Sequence, residues 1–359
     1  MSTVLAKRPA PSGAQAAPAL TEALFTICPV LVASNVAVEF GWLEEEFKKV
    51  GAKATYLRSL ADNKGWIPHY THSLPNLFRD GGAIPTIEAK ADLADTTLIG
   101  LTWAQSGGQI LVRAGAGIGR VKDLKGRRIG LFKSLNTEKI DFIRATAHQG
   151  IVLALDLAGL SAKDVQIVDL DDADRPTFNI ASKPAELWPQ YRSKGVGLGR
   201  EAEALADGSV DAIYANLGRA SALLASGKFT VIEDLERHPD WTLQIANGPY
   251  TTAVNTEFAK AHPEAVVAFL RAAIRAGRWI NANRDAAAHI LARTTLFPSV
   301  DETRRALAGH DLIPTLSPKN LAGIGLLKDF LRQHGYVKND FDVQKWADAR
   351  YLEAALRTA

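Results

Sequence analysis

Cys28 is the only cysteine among 359 residues. A lone cysteine is either a small buried apolar group or a nucleophile, and position alone leaves both readings open. A reactive thiol needs electropositive or hydrogen-bonding neighbours and partial access. The run His69-Tyr-Thr-His72-Ser-Leu-Pro-Asn-Leu-Phe-Arg79-Asp-Gly81-Gly82 can supply them. It offers an imidazole for proton transfer, a guanidinium fork for a bidentate oxyanion, and two glycines that let backbone N–H groups approach a ligand. Each group also has an ordinary alternative: Arg79-Asp80 as a solvated turn, Gly81-Gly82 as a loop before Pro85, His72 as a surface residue. Ser134, Asn136 and Thr137 precede a helical pattern. A helix amino end there would favour an anion through its unsatisfied N–H groups and dipole, and the alternative is simple capping.

Other chemistries lack their residues. A single cysteine excludes an internal disulfide framework, a multi-thiolate zinc cage and CxxC redox chemistry. His69 and His72 stand at helical spacing for a metal, but no acidic or thiol partner lies at ligand spacing nearby. Asp169 to Asp174 imitates a calcium loop without the glycine at its sixth position, and Ile180 stands where the bidentate Glu belongs, so a solvated loop is expected. Gly115-Ala-Gly117-Ile-Gly119 does not fit GxGxxG, and neither GxxxxGK[ST] nor GxSxG occurs. With 42 basic and 39 acidic residues the net charge is +3, and no basic block is interleaved with aromatics, so no nucleic-acid partner is expected. The first twenty residues hold three prolines and lack the apolar run of about 7–15 residues that a signal peptide uses. No stretch approaches the roughly 18 apolar residues that span a bilayer. The expectation is a cytoplasmic protein without membrane insertion, or a periplasmic one if the start or processing site is misassigned.

These residues must be held by elements that the patterning supplies. Residues 1–20 read as a Pro/Ala/Ser-rich disordered leader. Ala23 to Ile27 is β-prone and stops at Cys28-Pro29, where proline removes an N–H. After Ser34-Asn35, candidate caps, Val36, Phe40, Leu43, Phe47 and Val50 recur at helical steps up to Gly51. Ala54 to Leu57, Thr97 to Thr102, Gln109 to Val112 and Arg128 to Lys133 read as strands. Asn136-Thr137-Glu138 opens a helix carrying Ile140, Ile143, Ala147 and Ile151. Strands alternate with helices to Ile232, one more follows Thr251, and the remainder is helical. The alternation predicts an α/β protein of two lobes with parallel or mixed sheets and a C-terminal helical region. Residues 21–115 plus 248–359 would form lobe 1 and 116–247 lobe 2. Cys28, at a strand's carboxyl end, would then face the crevice where open α/β sheets take ligands. Trp66, Trp103, Phe178 and Trp188 are candidates for an aromatic pocket or for plain core.

With Cys28-Pro29-Val30, His69, Arg79 and Gly81-Gly82-Ala-Ile-Pro85 in view, the chain resembles the 2'-hydroxybiphenyl-2-sulfinate desulfinases, the last enzymes of the sulfur-specific dibenzothiophene pathway. The ten-residue interval from His69 to Arg79 is the most specific part of the likeness. The resemblance implies a catalytic Cys28 with His69 beside it, Arg79 holding the sulfinate oxygens, and a backbone N–H at Gly82 that helps fix the site. It implies a type II periplasmic-binding-protein fold, and Val121 to Gly130 looks like the start of the second lobe in sulfonate, taurine and nitrate binding proteins. Departures are a longer interval from Cys28 to His69, Asp80 in place of an apolar residue, and a divergent stretch from Arg175 to Tyr191. The expected activity is sulfite release from an aryl sulfinate without metal or organic cofactor, the thiol either donating a proton or attacking sulfur. The expected partner is a small anionic aromatic sulfur compound. The alternative is a sulfonate-like anion receptor serving an ABC permease.

Overall fold

In the computed structural model, which describes residues 20, 22–104, 107–173, 180–193, 199–297 and 299–359, the run Glu22–Ile27 forms β1 and is buried after its first residue. Burial on both faces is what a parallel strand between helical layers requires. Helices α1 (Ala33–Glu39) and α2 (Trp42–Lys49) follow, divided at Gly41, which takes a φ of 70°. Ser34 and Asn35 lie inside α1 instead of capping it, because their side chains bond Asp80 and the Cys28 and Val30 carbonyls. Next come β2 (Lys53–Tyr56), α3 (Pro68–Thr71), β3 (Leu77–Gly81), α4 (Ala83–Glu88) and β4 (Thr96–Thr102). β1 lies parallel between β2 and β3, with Ile27 opposite Asp80.

The chain then builds a second sheet: β5 (Gln109–Arg113), β6 (Arg128–Ser134), α5 (Phe142–Leu157), β7 (Gln166–Asp172), α6 (Pro184–Ser193), α7 (Gly199–Asp207), β8 (Ala212–Ala215), α8 (Leu217–Leu224) and β9 (Phe229–Asp234). Its order is β7-β6-β8-β5-β9. Gln109 to Arg113, placed in lobe 1 by sequence position, pairs with β8 and β9, so the second sheet starts before residue 116. Alternation explains this: Ile110 and Val112 fill the apolar cluster on one face of that sheet and Leu111 the cluster on the other. Asp169 to Asp172 also departs from expectation, lying in β7 beside β6 and not in a loop.

β10 (Tyr250–Asn255) returns to the first sheet, antiparallel between β3 and β4, giving the order β2-β1-β3-β10-β4. Helices α9 (Thr256–Ala261), α10 (Pro263–Ala282), α11 (Arg284–Thr294), α12 (Val300–Leu307), α13 (Pro318–Gln333), α14 (Val343–Trp346) and α15 (Ala349–Thr358) complete the chain. The stripe Val266, Leu270, Ile274 and Ile280 of α10 is fully buried in the first sheet's core. Residues 1–19 of the expected leader, and Phe178, lie outside the described residues. Among the described residues no helix is long and apolar enough to cross a membrane.

Candidate functional site

Cys28 follows β1 and is the last residue tied into its ladder, donating its N–H to the Asp80 carbonyl at 2.9 Å. Pro29 has no N–H to continue the pairing. The side chain is 9% exposed. Gly81 lies against it with a φ of 147°, and a Cβ at Gly81 would stand 2.3 Å from both Cβ and Sγ of Cys28. Glycine is required there on both counts, for the backbone angle and for the space.

His69 belongs to α3, a single turn begun by Pro68 at its first position, where the missing N–H does no harm. Its Nε2 is 3.5 Å from Cys28 Sγ, and its Nδ1 is 2.6 Å from Thr26 Oγ1. Thr26 precedes Cys28 by two residues and so shares its side of the strand. Burial, then the Arg58 and Arg79 charges, hold the His69 imidazole well below its ordinary range. A neutral ring carries one N–H. If the Thr26 hydroxyl donates to Nδ1, the N–H sits on Nε2 and meets the sulfur. If Nδ1–H donates to Thr26, Nε2 is a base for the S–H.

Arg79 is 1% exposed. Its Nε donates to the His69 carbonyl at 2.8 Å, its Nη1 to the Gly82 carbonyl at 2.8 Å and Thr86 Oγ1 at 2.6 Å, and its Nη2 to Cys28 Sγ at 3.5 Å. Four of five guanidinium N–H groups are thus engaged, and among the described residues one on Nη2 remains. The guanidinium is not an open fork for a bidentate oxyanion, because the protein itself fills it. Gly82 accepts from Arg79 through its carbonyl, a bond that leaves aside the N–H to which the resemblance points.

Asp80 points away from this cluster, accepting from Ser34 Oγ at 2.5 Å and from Thr252 Oγ1 at 3.2 Å. Burial raises its carboxyl to about 6 against those hydrogen bonds and the Arg79 charge. His72 is fully buried, with a φ of 54° and Nε2 2.9 Å from the Leu77 carbonyl oxygen, so it is not a surface residue. Among the described residues no group of three or more His, Cys, Asp or Glu could hold a metal.

Ser134 ends β6 of the second sheet, and Asn136 and Thr137 follow it in a turn and not at a helix amino end. α5 starts at Phe142 and is capped by Asp141, which accepts from the Arg144 and Ser134 amides. The intervening turn uses its own polar groups: the Asn136 amide donates to Ser134 Oγ and the Glu138 amide to Asn136 Oδ1. Tertiary packing delays the helix. Ile140 joins a cluster with Ala83 and Ile84 of α4, Phe142 stacks on Tyr70 at 5.8 Å, and Lys139 Nζ lies 5.3 Å from the Tyr70 ring centre. The turn therefore reaches the first lobe through apolar and ring contacts.

Sequence reasoning missed Thr26, Ser34 and Asn35 as site groups, and also Tyr56, Arg58, Tyr70, Thr86, Thr251 and Thr252. Thr26 was accessible from strand periodicity two residues before Cys28. Thr251, whose one O–H lies within reach of the Gly81 carbonyl and Thr86 Oγ1, comes from β10 and has no local signal. Of the aromatic candidates, Trp66 lies under Arg58, Trp188 is core, and Trp103 packs edge-on to Trp241 at 5.6 Å.

The arrangement is a buried thiol between a neutral imidazole and a guanidinium, at the carboxyl pole of a two-sheet α/β molecule whose chain leaves one sheet, builds the other and returns. The chain belongs to the NMT1/THI5-like family, whose profile matches residues 84–287, more than half of its length. That match begins beyond Cys28, His69 and Arg79, so it speaks to the scaffold. Over nearly the whole chain the protein is similar to the 2'-hydroxybiphenyl-2-sulfinate desulfinases of Rhodococcus erythropolis and Rhodococcus qingshengii, 26% identical over 376 aligned positions that cover 97% of each chain. A solved Cys-to-Ser mutant of the desulfurization enzyme DszB, in complex with biphenyl-2-sulfinic acid, superposes with a TM-score of 0.72 at 22% identity, covering 94% of this chain and 99% of that one. The alkanesulfonate-binding protein SsuA of Xanthomonas axonopodis pv. citri, bound to MOPS, superposes at 0.61 and 18% identity, covering 93% and 100%. These likenesses establish the two-lobed periplasmic-binding-protein fold.

Proposed function

We propose that the protein is a cysteine-dependent desulfinase that releases sulfite from an aryl sulfinate such as 2'-hydroxybiphenyl-2-sulfinate. The observation that carries this reading is the placement of Cys28 Sγ 3.5 Å from both His69 Nε2 and Arg79 Nη2. The similarity to desulfinases over 97% of each chain supports it. The reaction converts an aryl sulfinate and water into the arene and hydrogen sulfite. The C–S bond breaks, the ring carbon gains a proton, and sulfur gains the oxygen of water. Cys28 is the group that delivers the proton or attacks sulfur, His69 exchanges a proton with it, and Arg79 keeps the oxyanion beside it. A neutral His69 suits this role, since it can take up a proton without first losing one.

The experiment is a sulfite assay on purified protein incubated with 2'-hydroxybiphenyl-2-sulfinate and simpler aryl sulfinates. Wild type is expected to turn over, and Cys28→Ser to lose about a hundred- to ten-thousandfold in rate, the range for a removed proton-transfer or nucleophilic group. Tight stoichiometric binding with no sulfite would instead assign the protein to anion binding, the reading that the SsuA likeness keeps open.

A further inference from the structure

Arg79 has one N–H left among the described residues, yet a sulfur oxyanion presents at least two oxygens. The segment between β2 and α3 supplies further donors. Gly65 lies against Leu57 so closely that a Cβ would come within 2.0 Å of the Leu57 carbonyl oxygen, and this contact closes residues 57–65 into a built loop. The next residue, Trp66, lies under the guanidinium of Arg58, whose carbon is 4.3 Å from the ring centre. Arg58 is 4% exposed and hydrogen-bonds Tyr70. Trp66 meets Tyr70 edge-on at 4.9 Å, and Tyr70 meets His69 edge-on at 4.8 Å. A chain of contacts thus runs from Arg58 to the imidazole beside Cys28. Tyr56, at the end of β2, is buried and its hydroxyl has no hydrogen-bond partner among the described residues.

We propose that Arg58, seated on Trp66, and the Tyr56 hydroxyl form a second anion-recognising wall of the Cys28 site and hold the oxyanion oxygens for which Arg79 has no donors left. The electrostatics agree. Burial is the largest influence on Arg58 and lowers its pKa against the smaller opposing contributions of Tyr70, Tyr56 and Cys28, and Arg58 in turn disfavours a charged His69. A buried guanidinium and hydroxyl around a thiol fit a compact sulfur oxyanion better than a neutral ligand, because an ion strengthens every hydrogen bond it accepts. The inference rests on the desulfinase reading only for the identity of that oxyanion as a sulfinate.

The test is protection of Cys28 from iodoacetamide by benzenesulfinate and by sulfite, in wild type, Tyr56→Phe, Arg58→Gln and Arg58→Lys. The control is Arg304→Gln, on the exposed face of α12. Benzenesulfinate affinity is expected to fall about tenfold to a hundredfold in Arg58→Gln and about three- to tenfold in Tyr56→Phe, to recover in part in Arg58→Lys, and to stay unchanged in the control. The rate of alkylation by anionic iodoacetate relative to neutral iodoacetamide is expected to fall in Arg58→Gln as well, a change that loss of packing alone does not produce. Wild-type affinity in either Tyr56→Phe or a folded Arg58→Gln overturns the assignment. If Arg58→Gln does not fold, Tyr56→Phe, which keeps the ring, decides. Sulfite release is assayed separately. Binding with the expected losses but no turnover sinks the desulfinase reading and leaves this wall standing.

Discussion

Each sheet carries a parallel strand whose carboxyl end turns toward a helix, β1 toward α1 and β6 toward α5, and the two turns use their polar groups in opposite ways. At the first, Thr26, His69, Arg79 and Thr86 come from four elements and converge near one sulfur atom. At the second, Ser134, Asn136 and Asp141 come from one short segment and satisfy that segment's own amides. Topological position makes a strand end eligible to be a site. Convergence of groups from distant segments onto an atom with bonding capacity to spare is what makes it one, and among the described residues the first turn shows it.

The sharpest way to break this contrast is to remove the hub of the first turn. Arg79→Met would leave the His69 and Gly82 carbonyls and Thr86 without their donor in a buried setting. We expect a loss of about 3–5 kcal/mol in urea unfolding together with loss of anion binding. Wild-type stability would mean that the cluster is not cooperative. Next in size are the adjacent glycines. Gly81→Ala meets both a strained φ and the Cys28 side chain and should lose about 2–4 kcal/mol, whereas Gly82→Ala has open space around it and should change stability by less than about 1 kcal/mol. Equal effects at the two positions would show that the close approach to Cys28 does not constrain the fold.

The contrast also explains what could be read from sequence. The alternation of strands and helices, the end of β1 at Pro29, and the residue types at positions 28, 69 and 79 were legible because each is a local signal. The meeting of Cys28 with His69 and Arg79 was anticipated through resemblance and not through spacing. The groups that complete the site were hidden where local rules give the wrong role. Ser34 and Asn35 look like helix caps, yet they bond Asp80 and the carbonyls of Cys28 and Val30. Arg58 looks like an ordinary surface arginine until the loop closed at Gly65 places Trp66 beneath it. At Asn136-Thr137-Glu138 the capping pattern predicted a helix that packing against Ile84 and Tyr70 postpones to Phe142.

A pH experiment sharpens the electrostatic side of the first turn. The Asp80 carboxyl is raised from 3.8 to about 6 in the fold, so between those values the native state holds a proton that the unfolded chain has released. Protonation therefore favours the native state. The stabilising contribution is complete below pH 3.8 and is lost as pH rises through 6. A shift of this size corresponds to about 3 kcal/mol. We expect the difference in stability between wild type and Asp80→Asn to move against wild type by about that amount from about pH 3 to about pH 7. Taking the difference removes other groups that titrate in the same direction, such as Glu88, which burial raises to about 7. A flat difference, or one that favours wild type with rising pH, would show that Asp80 is ionised at little cost and that its contacts with Ser34 and Thr252 outweigh its burial.

The smallest effects belong to the second turn, and their smallness is the point of measuring them. Asn136→Ala removes an acceptor for one amide in an exposed turn, and Thr137→Ala trims an exposed side chain, so each should change stability by less than about 1 kcal/mol. Both should leave benzenesulfinate affinity and sulfite release within about twofold of wild type, because Ser134, Asn136 and Asp141 make their hydrogen bonds within the turn itself. Asp141→Ala should lose somewhat more, about 1–2 kcal/mol, since it caps α5 and also accepts from the Ser134 amide. A tenfold loss of affinity in Asn136→Ala or Thr137→Ala at unchanged stability would overturn the contrast. It would mean that the second lobe turns these side chains onto the ligand, and that the self-satisfied turn is one of two arrangements.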